Sequence, residues 1–146
     1  MAKHAESFRD LVVYQSARAL AKRFFEVSRT FPKEEMYSLT DQGRRSSRSI
    51  GAQIAEAWAK RRYEKHFVSK LTDADGEQQE TQHWVETALD CGYITEQIRD
   101  EIVAELMRIG RMLQSMIDKS AQFCGEPSDR VCEDHAIYCG EEGNHD

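Results

Sequence analysis

Few residues in this chain are of a type and spacing to do chemistry. Glu80-Thr81-Gln82-His83 places a carboxylate and an imidazole one helical turn apart. That spacing is half of a carboxylate-bridged dimetal centre in a helix bundle, which needs a second such pair and two further inward carboxylates. There is no second pair: three residues after Glu101 stands Ala104, and three before His66 stands Tyr63. A helical wheel also turns Glu80 and His83 away from the core. Cys124, Cys132, His135 and Cys139 are zinc-ligand types but lack the paired C-x-x-C knuckle. Cys91, beside Gly92 at a helix end, reads as a packing residue. Gly43 and Gly51 are not followed by the Gly-Lys-Ser/Thr of a phosphate loop. The expectation is no catalytic residue, no metal, no cofactor and no enzymatic activity.

Binding chemistry is better represented. Lys60, Arg61, Arg62 and Lys65 cluster around Tyr63 and His66, cations for phosphates interleaved with rings on which bases can stack. Arg44 and Arg48 extend the candidate nucleic-acid-binding set along the same helix. The net charge of −6 conceals an uneven distribution: residues 1 to 75 hold 15 Lys+Arg against 10 Asp+Glu, and residues 76 to 146 hold 5 against 16, so +5 and −11 sum to −6. A basic half serves an anionic partner or the acidic half of a neighbouring copy. The competing reading is a solvated face with local pairs such as Asp41 to Arg45 and Glu56 to Lys60, worth about 0.2–0.5 kcal/mol each.

The elements that must position these groups are helical. A chain of 146 residues, 40% hydrophobic and 32% charged, with two prolines and eight glycines, suits one globular domain. Val13, Ala17, Leu20, Phe24 and Val27 step by 4, 3, 4, 3, with Ser7 placed to cap and Asp10 three residues on. Pro32 separates this helix from a second that begins near Glu34 and Glu35. A third carries Phe67, Leu71, Ala74, Gln78, Thr81, Val85 and Leu89 on one face and stops at Gly92. The fourth starts at a Thr95 cap and runs Ile98, Ile102, Leu106, Ile109, Leu113 and Met116. Short links predict an all-α, antiparallel up-down four-helix bundle over residues 8–122. Residues 1–7 form an N-terminal tail, and the acidic, aperiodic residues 123–146 are expected to be disordered. No apolar run reaches membrane-span length, and MAKHAESF has no signal-peptide core, so the expectation is cytoplasmic.

On the second helix, Leu39, Gly43, Ile50, Ile54 and Trp58 form the core stripe, and Gln42, Arg45, Ser49, Gln53 and Glu56 a polar seam beside it. Charges at the edge of a core need partners, so Arg45 and Glu56 are expected to be paired in a network. Gly51, Ala55 and Ala59 interleave with the arginines. The third helix presents Asp73, Gly76, Glu80, His83 and Thr87 outward, small and acidic where the second is small and basic. The predicted oligomer interface is therefore Gly51, Ala55, Ala59, Gly76, Glu80 and His83.

The order FRDLVVYQSA, FPKEEMYSLTDQGRRSSRSIGAQIAEA, GYI and RIGRMLQSMI, spread over residues 8 to 120, resembles the four-helix-bundle family of 23S ribosomal RNA intervening-sequence proteins. Gln42, Arg45, Ser49, Ile50, Ile54, Ala55 and Glu56 match its Q-x-x-R-x-x-x-S-I-x-x-x-I-A-E motif. Gly51, Gln53 and Ala57 replace a usual proline, asparagine and glycine, and Glu77 and His83 replace small hydroxyl residues, the pattern of a divergent member. The accessory variability determinant proteins of diversity-generating retroelements look like members of the same fold. The resemblance implies a homopentameric barrel without known catalytic activity. In the retroelement branch it also implies a basic surface that binds RNA or DNA and a reverse transcriptase partner.

Overall fold

The computed structural model describes residues 4–125. The acidic tail from residue 126, with Cys132, His135 and Cys139, lies outside the described residues, as do residues 1–3. Four α-helices are present, α1 Val12–Ser28, α2 Asp41–Ala59, α3 Glu64–Asp90 and α4 Glu96–Asp118, with no strand among the described residues.

The starts and stops follow local chemistry. Ser7 and Asp10 do form a reciprocal capping box, but it opens a short 3-10 turn, Phe8–Asp10, ahead of α1. The second helix begins later than predicted: Lys33–Glu35 is a 3-10 turn and Met36–Thr40 a π turn that leads into α2. α3 ends where Gly92 takes φ 76°. There the Tyr93 N–H donates to Ala88 O at 2.9 Å and the Gly92 N–H to Leu89 O at 2.9 Å, a closure that needs a residue in the left-handed region. Thr95 Oγ1 accepts from the Ile98 N–H at 3.2 Å and caps α4.

Every neighbouring pair of helices is antiparallel, as the register of side-chain pairs shows. Phe24 packs at Gly43 and Tyr14 at Gly51 between α1 and α2. Ser46 meets Thr81, and Glu56 meets Lys70, between α2 and α3. Glu86 pairs with Arg99 between α3 and α4. Arg23 with Glu101, and Ser16 with Arg108, close α4 onto α1. The core holds the predicted stripes, with Phe24, Ile50, Ile54, Phe67, Leu71, Leu106, Ile109 and Leu113 at most 1% exposed. In the last turn of α3 the buried place belongs to Ala88, with Leu89 half-buried. Cys91, read as a packing residue, is exposed because it follows that turn as the helix cap.

The two ends of the bundle are fastened differently. At one, the Tyr93 hydroxyl donates to Glu35 Oε2 at 2.8 Å, and Phe31 bridges the Tyr93 and Phe24 rings. At the other, Phe123 is fully buried and stacks on Phe67 at 5.8 Å. Cys124 is buried as well, and the Gly125 N–H donates to Arg61 O at 3.1 Å. The ordered bundle thus passes the predicted boundary at residue 122, because Phe123 supplies an apolar plug that a reading by helical period does not register. No helix among the described residues is long and apolar enough to cross a membrane.

Two consequences are measurable. A Cβ at Gly43 would overlap the Phe24 ring, which is 1% exposed and has little room to move. Gly43→Ala gains about 0.5–1 kcal/mol of helix propensity but incurs about 1–3 kcal/mol of overpacking, so urea denaturation should show a net loss.

Tyr93 has its pKa raised to about 12, first by the hydrogen bond to Glu35, then by desolvation and nearby negative charge. Its neutral phenol is favoured by folding, so the contribution is complete below the reference value of 10.0. It is lost as pH rises through about 12. The difference in melting temperature between wild type and Tyr93→Phe should shrink across that window and be constant below it.

Candidate nucleic-acid interface

α2 closes at Lys60, where φ −98° and ψ 9° leave the helical region, and Tyr63 stands extended before α3 begins at Glu64. The tight link crowds cations and rings onto one end of the bundle. Lys60, Arg62, Lys65 and His66 are exposed, and Tyr63 is 60% exposed. The Tyr63 and His66 rings lie 5.6 Å apart at 56° beside an open depression also lined by Arg62, Lys65, Val68 and Ser69. Glu64 lines it too, but its carboxylate accepts from Ser120 Oγ at 2.7 Å, toward the C-terminal turn. Neither Lys60 nor Lys65 makes an ion pair among the described residues.

Arg61 does not belong to this surface. Its guanidinium lies 3.8 Å over the Trp58 ring and donates through Nη1 to Trp58 O at 2.8 Å, while its own carbonyl receives Gly125. It fastens the end of α2 to the C-terminal turn. Arg44 and Arg48 are also separate, since 12 residues of helix put Arg48 about 18 Å from Lys60. They lie against Phe25 of α1, at 4.8 and 5.6 Å from its centroid. The six cations of the predicted nucleic-acid-binding set are thus one exposed turn, one structural arginine and a second, distant arginine group. Sequence spacing missed this division because Phe25, off the core stripe of α1, draws two arginines to it. The Phe24-Phe25 pair was the available signal, since adjacent helical residues cannot both face the core.

The polar seam is corrected too. Glu56 pairs with Lys70 at 3.2 Å, but Ser49 Oγ donates back to Arg45 O and the Gln53 Oε1 is buried without a partner among the described residues. Gln42 is half-buried, and Arg45 is exposed and forms no ion pair among the described residues. Its charge only moderates Glu77, whose pKa is raised by burial first and then by Glu80. Helix α2 is rolled so that Ser46 and Ser47 take the buried polar places. Ser46 Oγ and Thr81 Oγ1, both 0% exposed, lie 2.8 Å apart.

Of the predicted interface, Gly51 is buried, and a Cβ there would meet Tyr14 of the same chain at 3.5 Å. It therefore serves α1–α2 packing. Ala55 is half-buried in a shallow groove with Phe8, Tyr14, Ala17 and Ala52. Ala59 is exposed, and Gly76 is exposed with open space where a Cβ would stand. Glu80 accepts from Trp84 Nε1 at 3.2 Å and His83 lies edge-on to Trp84 at 4.8 Å. Among the described residues no three His, Cys, Asp or Glu side chains are grouped to hold a metal ion.

Four antiparallel helices around one core, with a cationic, aromatic turn at one end, define a small helical-bundle protein. The chain belongs to the family of 23S rRNA-intervening sequence proteins, whose family model matches residues 9–115. It is similar to the crystal structure of a protein of unknown function from the S23 ribosomal protein family of Bacteroides thetaiotaomicron. The identity is 29%, the match covers 73% of this chain and 98% of that one, and the TM-score is 0.66. Among curated proteins, none matches the chain.

Proposed function

We propose that this chain is a non-enzymatic accessory protein of the cytoplasm that assembles with copies of itself and binds RNA or DNA at the α2–α3 turn. The observation that carries the reading is the exposed Tyr63–His66 pair flanked by Lys60, Arg62 and Lys65. Rings stack on bases without sequence preference, and cations follow the backbone phosphates. Repetition of the turn around an oligomer multiplies the phosphate contacts, so an acidic protomer can still present a basic track. The resemblance to retroelement accessory proteins extends the proposal to a pentameric ring with a reverse transcriptase as protein partner. The test is purification from the native host followed by identification of what co-purifies. Bound nucleic acid supports the reading; a defined protein partner without nucleic acid supports a scaffold role instead.

The scaffold alternative draws on the small, acidic outer face of α3. A Cβ at Gly76 would meet no other group of the described residues within 4 Å, so Gly76→Leu starts into open space inside the protomer. If this face meets a neighbouring copy, the variant should lower the light-scattering mass from oligomer toward monomer at micromolar concentration. An unchanged mass places the subunit contact elsewhere.

A further inference from the structure

We infer that Arg29, Arg44 and Arg48, gathered on Phe25 between α1 and α2, form a binding site for a phosphate group. Their guanidinium centres lie 6.0, 4.8 and 5.6 Å from the Phe25 centroid. Phe25 is 36% exposed, so the ring is an open platform for all three. Arg44 is fixed in direction, because its Nε donates to Ser28 Oγ at 2.9 Å and Ser28 is itself 2% exposed. That bond occupies Nε and leaves both terminal nitrogens of Arg44 for a ligand. Arg44 and Arg48 also line a surface depression with Phe25, Asp41 and Arg45.

Three like charges around one ring repel one another, and none of them has a carboxylate within ion-pair distance among the described residues. Asp41 is the acidic residue of the depression and pairs with none of them. Cation–π attraction offsets part of the repulsion, and an anion offsets the rest. A tetrahedral phosphate suits the arrangement better than a carboxylate from a neighbouring subunit. Its oxygens can accept from several planar forks at once, and a dianion neutralises more of the triple charge. A terminal phosphomonoester offers both the tetrahedral oxygens and the second charge, and a backbone phosphodiester offers the oxygens with a single charge. The site does not depend on the α2–α3 turn, and inorganic phosphate carries no base to stack on Tyr63.

The test is a titration of inorganic phosphate followed by phosphorus NMR line broadening, on the full chain as wild type, Arg29→Gln, Arg44→Gln/Arg48→Gln and Arg111→Gln. Wild type and Arg111→Gln, which alters an exposed cation on α4, should bind alike. The double variant should bind at least about tenfold more weakly, as the loss of one charge-assisted hydrogen bond predicts. Arg29→Gln, whose exposed side chain makes no hydrogen bond among the described residues, should show a smaller loss without a change in fold. Displacement by a trinucleotide with and without a 5′ phosphate then separates the sources. Preference for the phosphorylated form assigns terminal monoesters, and equal displacement assigns backbone diesters. Undetectable binding, or equal binding in every variant, overturns the site. So does a double variant that falls apart into smaller oligomers while still binding phosphate, which makes these arginines subunit contacts.

Discussion

Phe123→Ala should lower the stability of the bundle by about 3–5 kcal/mol, the range for emptying an aromatic site in a core. The ring is 0% exposed and stacks on Phe67, also 0% exposed, with 21° between the planes. It plugs the end of the bundle at which α2 gives way to α3. Its neighbours in sequence complete the seal, through Ser120 to Glu64 and through Gly125 to Arg61. Domains have only about 5–15 kcal/mol in total, so the variant should move the urea midpoint far more than any surface change. Phe123→Leu should retain most of the stability. A shift below about 0.5 kcal/mol for alanine, the usual size for a surface site, would mean that the chain beyond α4 does not dock.

Neutralising Lys60, Arg62 and Lys65 to glutamine should weaken nucleic-acid binding about a hundredfold at 0.1 M salt. Each lost phosphate contact removes about 0.7 of a released counterion on a single strand, and three contacts at that salt compound to this factor. Tyr63→Ala should cost a further tenfold or so, since stacking one base is worth about 1–3 kcal/mol. Fold and oligomer mass should be unaffected, because these side chains are exposed. Arg61→Gln would be a poor probe of binding, since its guanidinium rests on Trp58.

Much of the fold was legible because period and punctuation agree. The steps of three and four through Val13 to Phe24 and Ile102 to Met116, the caps at Ser7 and Thr95, and the stop at Gly92 all report local physics. The family was legible in the Gln42 to Glu56 motif, and the match over residues 9–115 bears it out. What escaped was decided by contacts across helices. Gly51 was read as an interface residue and Arg44 as part of the nucleic-acid-binding set, yet Tyr14 packs at Gly51 and Arg44 lies against Phe25 of α1. The seam beside the core gave way to Ser46 and Thr81 because two hydroxyls satisfy each other in a dry interface at less cost than an arginine. Phe123 was read as tail because a single aromatic after a helix end has no periodicity to announce it.

At the candidate site, residue types were more informative than their grouping. Cations near Tyr63 and His66 were evident from spacing, and three of the four surround the exposed turn. Which cation faces inward depended on Trp58, five residues before Tyr63, presenting its ring to Arg61. The second arginine group depended on Phe25, which lies 19 residues before Arg44 in the sequence and meets it only after α1 and α2 fold together.

The measurement that bears most directly on nucleic-acid binding at the α2–α3 turn is the salt dependence of affinity. A fluorescence-anisotropy titration of labelled single-stranded RNA against wild type and the Lys60/Arg62/Lys65 glutamine variant, at several salt concentrations, gives the slope of log affinity against log salt. The account predicts a steep slope for wild type, about −2 or beyond with three contacts per protomer, and a nearly flat one for the variant at equal oligomer mass. The same weak, salt-insensitive binding in both proteins would contradict it and leave the cations a solvated surface.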